Sequence, residues 1–500
     1  MISRTNRVVV VGAGIGGLVA ALELAAAGCA VTVIERAAVV GGKMREVSVA
    51  GRPIDAGPTV LTLRRVLEEI FADAGARIDD HLRLHRAEIL ARHAWSDGSR
   101  FDLHADIDRS AAAVGEFAGA AETRRFRQFC ARAREVFATL DQSFMRNASP
   151  SVDGLVRGVG VRGLGRLWQI KPFTTLWREL GNYFHDPRLH QLFARYATYV
   201  GSSPFAAPAT LMLVAHVEQD GVWLVEGGMH RVARALADLA VARGATLRLA
   251  TEARAILTAN GRATGVELDD GERLAADAVL FNGDTAALAQ GLLGAPVRAA
   301  VDPPGPRSLS AITWTLLATT DGFPLHHHNV FFSRDYPAEF DAIFRHGRVP
   351  DEPTVYVCAQ DRGPGRELSA DGRERLLCLI NAPASGDRSR FEPEEIARCE
   401  KRSFAVLERC GLQVTWSADS IAVTTPAEFH RLFPGSGGAL YGRASHGWRT
   451  SFKRPTARSR IPGLYLAGGS VHPGPGVPMA ATSGRLAART MLADLASTRR

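Results

Sequence analysis

The chain has 500 residues, of which 46% are hydrophobic and 22% are charged, and its formal net charge is +8. This balance is typical of a globular protein large enough for two domains, and it excludes a disordered chain. The six cysteines are scattered, with no CxxC pair and no secretory signal. They favour a reduced, cytoplasmic setting and argue against structural zinc or iron–sulfur centres.

The segment RVVVVGAGIGGLVAALELAAAGCAVTVIER near the start predicts a strand, a glycine turn, a helix and a second strand. Gly12, Gly14 and Gly17 form a GxGxxG turn, which brings the N-terminus of the helix close to a pyrophosphate. We expect Gly12 in the tight turn, Gly14 against the phosphates and Gly17 where the helix meets the strand. Glu35 ends the second strand, where a carboxylate can accept both ribose hydroxyls and repels a 2′-phosphate. The segment therefore predicts a dinucleotide site that disfavours NADP.

A loop, VVGGKMRE, and a hairpin-like stretch, VSVAGRPIDAGPTVLT, follow, and residues 64–216 then have a mostly helical and basic pattern. Within them, residues 155–180 alternate basic side chains with Leu, Trp and Phe at helical spacing. Two interpretations stay open, an amphipathic segment in a bilayer interface and a core helix with a solvated basic face. Nucleic-acid binding is disfavoured because no nucleic-acid motif accompanies the charge. Gly158, Gly160 and Gly163 repeat the GxGxxG spacing, but no strand precedes them, so we predict that this match is accidental.

The chain from residue 221 onward predicts a strand, a glycine turn, a helix and a strand, then a β-hairpin with a DDG turn and a strand that ends near Asn282. The last segment, IPGLYLAGGSVHPGPGVPMAATSGRLAARTMLADLA, predicts a strand, a glycine–proline loop and a closing helix. We therefore predict an α/β fold with a discontinuous Rossmann-like cofactor domain made of residues 1–85, 221–290 and 450–500. The two other predicted parts are a helical substrate region that can contact a membrane, 86–220, and a mixed α+β substrate domain, 291–449.

These segments together resemble the superfamily of flavin-dependent amine oxidases and carotenoid desaturases. Three further stretches, HHHNVFFSRDYPAEFDAIF, DEPTVYVCAQDR and HPGPGVPMA, are most similar to bacterial carotenoid desaturases, in particular to the 1-hydroxycarotenoid 3,4-desaturases. The resemblance covers essentially the whole chain. Met479 departs from it, since many carotenoid desaturases have a small residue after the preceding proline.

The resemblance implies that the dinucleotide is FAD and that residues from separate parts of the chain bind it. The diphosphate would lie among Gly12, Gly14, Gly16 and Gly17, the ribose at Glu35 beside Arg36, the second phosphate-side loop at Gly42 and Lys43, and the adenine edge at Ala253. The isoalloxazine would lie beside Gly57, Pro58 and Thr59, and its ribityl and pyrimidine side under Gly469, Gly476, Val477 and Pro478. The helix that begins near Gly476 also provides N–H donors and a positive dipole for a reduced flavin.

The implied reaction is desaturation of an acyclic hydroxylated or methoxylated carotenoid, with a hydride passing to flavin N5 and a proton lost from the adjacent carbon. Three alternatives are a phytoene-type multi-step desaturase, an amine oxidase and a non-catalytic isoprenoid-binding protein on the same fold. Because the sequence has no convincing second dinucleotide fold, we expect a quinone or dioxygen as electron acceptor. The apolar substrate implies a cytoplasmic protein associated peripherally with the membrane.

The sequence indicates no catalytic base strongly. Asp141 and the run His326, His327 and His328 have suitable chemistry, but such residues are more often structural. We expect His326 and His328 to share one strand face, from which they could polarise a terminal hydroxyl of the substrate. No metal site is expected, because carboxylate or cysteine ligands at known spacing are not nearby in sequence.

Overall fold

Two large β-sheets organise the protein, which is described here by a computed structural model over residues 5–151, 173–363 and 369–497. In chain order the strands are β1 Arg7–Val11, β2 Ala30–Ile34, β3 Glu46–Val49, β4 Arg52–Asp55, β5 Leu84–Arg86, β6 Ile89–Ala94, β7 Arg100–His104, β8 Trp223–Val225, β9 Thr246–Arg248, β10 Ala253–Ala259, β11 Arg262–Leu268, β12 Arg273–Ala275, β13 Ala278–Phe281, β14 Ser310–Asp321, β15 His328–Phe331, β16 Val355–Ala359, β17 Glu374–Ala382, β18 Gln413–Thr415, β19 Ile421–Thr424 and β20 Leu464–Leu466.

The α-helices connect these strands and cover the sheets. In chain order they are α1 Ile15–Ala26, α2 Arg64–Asp73, α3 Ile107–Ala118, α4 Ala120–Leu140, α5 Leu176–Leu180, α6 Pro187–Ala194, α7 Leu213–Asp220, α8 His230–Ala242, α9 Thr285–Gln290, α10 Tyr336–Phe344, α11 Pro393–Arg409, α12 Pro426–Leu432 and α13 Val477–Ser497. Among the described residues, none of these helices is long and apolar enough to span a bilayer.

The first sheet is parallel and has the strand order β20-β13-β1-β2-β9. Its central strand, β1, consists almost entirely of buried valines, as expected for a parallel strand covered on both faces. Helices α1, α8 and α13 pack on one face, and the antiparallel sheet β10-β11-β12 packs on the other. Strands of this parallel sheet come from each of the ranges 1–85, 221–290 and 450–500, although the domain boundaries themselves stay a prediction.

The second sheet has eight strands in the order β18-β14-β17-β16-β15-β6-β7, with β19 also paired to β14. Helices α3 to α6 pack against one face of this sheet and α11 against the other. Strands β6 and β7 belong to the predicted helical region 86–220, so that region also contributes strands. The mixed α/β architecture predicted from the sequence is confirmed. The accidental glycine match at Gly158, Gly160 and Gly163 lies outside the described residues.

Candidate functional site

A cavity of about 870 Å³ extends from the carboxyl ends of the parallel strands to one face of the eight-stranded sheet. Most of the cofactor residues expected from the sequence line it, namely Gly12, Gly14, Gly16, Glu35, Arg36, Gly42, Lys43, Gly57, Pro58, Thr59, Ala253, Gly469, Gly476 and Val477. Parts of the chain more than 460 residues apart, from Gly12 to Val477, therefore meet around one space. Ligands of open parallel sheets bind at this position, beyond the carboxyl ends of the strands.

The turn needs glycine at these positions because of close contacts within the protein, as well as to let a ligand approach. Gly12 has a φ of +103°, and a Cβ on Gly17 would lie 2.1 Å from the carbonyl oxygen of Gly12. A Cβ on Gly14 or Gly16 would lie 2.8 Å from the side-chain amide of Asn282. Gly17 does not line the cavity because it lies beneath the turn, at the contact between helix and strand that its sequence position predicts.

Two polar residues that follow β13, Asn282 and Asp284, line the cavity. They were not predicted from the sequence as binding residues. Asn282 donates to the carbonyl oxygen of Ala467 at 3.0 Å, but its buried Oδ1 has no hydrogen-bond partner among the described residues. Asp284 accepts from the N–H of Ala286 at 3.0 Å, and its buried Oδ2 also lacks a partner there. The Asn282 Oδ1 lies against the glycine turn, 2.8 Å from where a Cβ of Gly14 would be. Buried acceptors without a donor are rare in native proteins, so the Asp284 Oδ2 fits a ligand that carries hydroxyl groups. The position of both residues at the end of a parallel strand was the available signal.

Glu35 is only 8% exposed and lines the adenosine end expected from the sequence. Its two carboxylate oxygens accept from the backbone N–H groups of Ala13 and Ala37, each at 2.8 Å. Because a carboxylate oxygen has more than one acceptor position, Glu35 can still receive ribose hydroxyls. Arg36 donates to the carbonyl oxygen of Arg431 and therefore borders the cavity without pairing with Glu35.

One buried cation, Lys43, lines the cavity, and a second, Arg454, lies in a neighbouring pocket. Lys43 donates from Nζ to the carbonyl oxygen of Leu440 at 2.7 Å, and burial lowers its pKa while the Asp284 carboxylate opposes that shift. Arg454 donates to the carbonyl oxygen of Gly469 at 3.2 Å, and burial lowers its pKa to about 10. Arg454 therefore stays charged at neutral pH. With the N-terminus of α1 at the glycine turn, Lys43 makes a positive environment that suits a diphosphate.

The expected isoalloxazine end lies where the two sheets approach each other. A Cβ on Gly57 would lie 2.0 Å from the carbonyl oxygen of Lys43, so the chain there passes too closely for a larger residue. The Thr59 hydroxyl is 2.7 Å from the hydroxyl of Tyr356 on β16, which joins this segment to the second sheet. Helix α13 begins at the cavity with Val477, but Pro478 does not line it, and its carbonyl oxygen accepts from Thr482 within the helix.

The weak catalytic candidates lie away from the cavity wall. Asp141 is buried and forms ion pairs with Arg65 at 2.9 Å and Arg146 at 3.4 Å. His326 precedes β15 and lies 3.9 Å from Asp102, whereas His328 is buried inside the strand. The expectation that His326 and His328 share a strand face is therefore wrong. The Asn329 side chain accepts the N–H of His326 and donates to its carbonyl oxygen, so the residues before the strand form a turn.

No cysteine is close to the histidine run in the sequence, but the fold brings one beside it. Ring nitrogens of His327 and His328 and the Sγ of Cys358 lie within 4.8 Å of one another. Cys358 is on the neighbouring strand β16, which is why sequence spacing could not indicate it. The Nδ1 of His327 lies 2.9 Å from the carbonyl oxygen of Arg362, so its Nε2 faces the thiol at 3.5 Å. Hydrogen bonding within the group accounts for this geometry.

The cofactor fit and the family are supported by comparison with known proteins. The family described as flavin containing amine oxidoreductase matches residues 15–492. Hydroxyneurosporene desaturase from Rubrivivax gelatinosus is 57% identical over 500 residues, covering 99% of this chain and 95% of that protein. The protein of the same name from Cereibacter sphaeroides is 47% identical over 494 residues, which cover 98% of this chain and 98% of that protein. A solved oxidoreductase from Methanosarcina mazei has the same fold, with a TM-score of 0.59 at 19% identity over 97% of this chain and all of that one.

Together, the glycine turn, the unpartnered carboxylate oxygen of Asp284 and the positive charge of Lys43 at the cavity wall fit FAD. The family match begins at residue 15, inside the glycine turn, and runs to residue 492, so it includes most of the residues that line this cavity. The chain belongs to the flavin containing amine oxidoreductase family and is an FAD-dependent oxidoreductase of its carotenoid desaturase branch.

Proposed function

We propose that the protein desaturates an acyclic hydroxylated or methoxylated carotenoid at the C3–C4 bond, where C3 is two bonds from the C1 carbon that carries the oxygen. One observation carries this proposal: the dinucleotide site and a second chamber against the eight-stranded sheet form a single cavity. Two relatives named hydroxyneurosporene desaturase support the substrate class. The alternative is a phytoene-type desaturase that acts in several steps.

The chain's own residues supply the walls of this chamber and the binding site for FAD. Bound FAD supplies the hydride acceptor for the reaction. Leu377, Leu379 and Asn381 alternate along β17 and therefore point to the same side, where they line the cavity. Mostly apolar walls exclude water and hold a polyene by contact area. The desaturated bond would be held in place near Thr59.

A row of hydrogen bonds fixes the chamber next to the expected flavin. The Tyr356 hydroxyl is 2.7 Å from the Thr59 hydroxyl and 2.7 Å from Nδ1 of His328. Burial raises the pKa of Tyr356 well above its ordinary value, so its hydroxyl stays neutral. The row holds both hydroxyls in defined positions at the cavity wall.

The test is anaerobic mixing of the FAD-loaded protein with 1-hydroxyneurosporene. We expect bleaching of the flavin absorbance and a carotenoid spectrum shifted to longer wavelength by the added double bond. If neither change occurs, the proposal is wrong. A parallel sample with phytoene separates the alternative, because only a multi-step desaturase converts phytoene to coloured products.

We propose a quinone or dioxygen as the acceptor that reoxidises the flavin. The support is the sequence, which has no convincing second dinucleotide fold to receive a nicotinamide cofactor. After anaerobic reduction, the protein is mixed with a soluble quinone, with oxygenated buffer or with NADP⁺. Rapid return of the flavin absorbance with either of the first two is expected, and return with NADP⁺ alone would contradict the proposal.

We propose peripheral membrane association, because the substrate dissolves in bilayers rather than in water. Supporting residues lie next to the undescribed part of the basic segment: Phe173 is 65% exposed and contacts the Trp448 ring at 5.1 Å. Exposed Arg449 and Lys453 lie on the same short segment as Trp448. Exposed aromatic and basic side chains together are typical of a membrane interface.

The basic residues first suggested by the sequence, Arg162, Arg166 and Lys171, lie outside the described residues.

Liposome flotation tests this association. The wild-type protein should float with vesicles containing anionic lipid, and the triple variant Phe173→Ser, Arg449→Glu and Lys453→Glu should float several-fold less. Arg83→Glu, a change at another exposed arginine, is the control and should behave as the wild type. Equal flotation of the triple variant would exclude this surface as the contact.

A further inference from the structure

Arg195 places a cation in the wall of a cavity that is otherwise suited to a hydrocarbon. It begins the short 3-10 helix Arg195–Val200 and lines the cavity. Its guanidinium carbon lies 5.3 Å from the ring centroid of Tyr356 and 5.6 Å from that of Tyr199. Within the described ranges, no carboxylate lies within 4.0 Å of this guanidinium. A buried cation without a paired anion is costly, so an apolar side chain would stabilise this wall better.

The surroundings of Arg195 keep its charge. Among the described residues, the side-chain hydrogen-bond partner that bears on this charge is Tyr199, and the guanidinium has further N–H donors. Glu218 accepts from the hydroxyl of Tyr196 at 2.7 Å and also from that of Tyr199, which is itself hydrogen-bonded to Arg195. This carboxylate is therefore linked to the guanidinium through a tyrosine. Burial alone would lower the pKa of Arg195, but the neighbouring tyrosines and Glu218 outweigh it and hold the pKa above its ordinary value. The guanidinium therefore remains a cation at neutral pH.

A second polar group shares this part of the wall. Tyr336 lines the cavity, and its hydroxyl has no hydrogen-bond partner among the residues that the structure describes. Burial raises the pKa of Tyr336 well above its ordinary value, so the hydroxyl is neutral and can donate or accept. Arg195 and Tyr336 therefore both present polar groups at the wall of the same chamber.

The position of Arg195 matches the geometry of the proposed substrate. Tyr356 separates Arg195 from Thr59, which lies beside the expected isoalloxazine. In the substrate, three covalent bonds separate the oxygen on C1 from C3, which is a distance of roughly 4 Å. If C3 and C4 lie next to the flavin, the C1 oxygen must also lie in this part of the cavity.

We propose that Arg195, together with Tyr336, binds the oxygen on C1 of the carotenoid and thereby selects oxygenated ends over hydrocarbon ends. The inference rests on the proposed function. A guanidinium only donates hydrogen bonds, so both a hydroxyl and a methoxy oxygen can accept from it. A hydrocarbon end offers no acceptor and leaves the buried donors unpaired, which sites of this kind reject strongly.

The test compares the purified, FAD-loaded protein on neurosporene, 1-hydroxyneurosporene and its 1-methoxy derivative. The wild type should have a much higher kcat/KM for the two oxygenated carotenoids than for neurosporene. Arg195→Met should lower the ratio of the hydroxylated to the hydrocarbon kcat/KM roughly 10- to 100-fold, the range expected for a lost charged hydrogen bond. Arg195→Lys should retain part of the preference, because it keeps a cationic donor.

The control is Arg188→Met, which changes an arginine that also stacks on an aromatic ring, Phe117 at 4.0 Å, but does not line the cavity. Its substrate preference should equal that of the wild type. Flavin content and the flavin spectrum are measured for every variant. Equal loss on all substrates in Arg195→Met, or a loss of bound FAD, would assign Arg195 to the cofactor and overturn the inference.

The wild type alone provides a test that does not depend on the folding of a variant. Equal conversion of neurosporene and 1-hydroxyneurosporene by the wild type would overturn the inference while leaving desaturation intact. No conversion of any oxygenated carotenoid would instead refute the proposed function. The two failures are therefore distinguishable.

Discussion

A single buried histidine, His93, makes the stability of the fold depend on pH. Its ring is 4% exposed, stacks on Phe332 with centroids 6.0 Å apart, and places Nδ1 3.3 Å from the carbonyl oxygen of Phe101. Burial, assisted by the nearby Arg195 cation, lowers the pKa of His93 to about 3. Folding therefore requires the neutral ring, whereas the unfolded chain takes up a proton below about pH 6.5.

We expect this histidine to contribute to loss of stability in mild acid. Because the unfolded state binds more protons between about pH 6.5 and 3, the free energy of unfolding falls as the pH falls through that window. Between pH 7 and pH 5, His93 alone lowers the free energy of unfolding by about 2 kcal/mol. The free energy of unfolding is measured in urea at both pH values. Its change between pH 7 and pH 5 should be smaller in His93→Gln than in the wild type by about this amount. His346→Gln, at an exposed position, is the control, and a pH difference unchanged in His93→Gln would contradict the assignment.

At the scale of elements, α1 depends on a glycine inside its first turn. Gly17→Ala would improve the intrinsic preference for helix, yet its Cβ would lie 2.1 Å from the backbone oxygen of Gly12. Because both atoms belong to packed backbone, we expect Gly17→Ala to lower the free energy of unfolding by about 1–3 kcal/mol. Gly181→Ala is a matched control, since Gly181 has a φ of −61° and its Cβ would meet no atom closer than 3.5 Å. Equal stability of the two variants in urea would refute the steric argument.

The elements also separate what the sequence could predict from what it could not. The β1–α1–β2 unit was predictable because its apolar run, its glycines and Glu35 are consecutive in the chain. Strands β6 and β7 were not recognised within a mainly helical region. Strand β6 pairs in parallel with β15, more than 230 residues away, so its burial depends on a partner that local pattern cannot reveal. The prediction that His326 and His328 share a strand face was wrong because of a local contact. The side chain of Asn329 accepts the N–H of His326, and β15 begins only at His328.

At the scale of the whole molecule, the cavity joins residues that no local motif connects. Thr59, Arg195 and Tyr356 come from a loop, a 3-10 helix and a strand, and they meet only after the two sheets pack together. The cofactor half of the site was largely predictable, since glycine turns leave a sequence signature. The substrate half was not, because a single arginine among tyrosines leaves none.

FAD should stabilise the entire fold, because its site includes residues from the start, the middle and the end of the chain. With free FAD at 100 times its dissociation constant, the expected gain is about 2.7 kcal/mol relative to the flavin-free protein. Thermal unfolding with increasing FAD should show a rising midpoint, and hydrogen exchange in α13 should slow together with exchange in α1. Protection confined to α1 would show that α13 does not contribute to binding.

The late position of α13 has a consequence for how the protein is made. Strand β1 lies at the centre of the parallel sheet, but its neighbour β13 ends at Phe281, and the edge strand β20 and α13 follow only after residue 463. A chain still growing on the ribosome would therefore expose the glycine turn long before the opposite wall of the cavity exists. We therefore expect loading of the flavin to be one of the last events in biosynthesis, after the chain has been made through Val477.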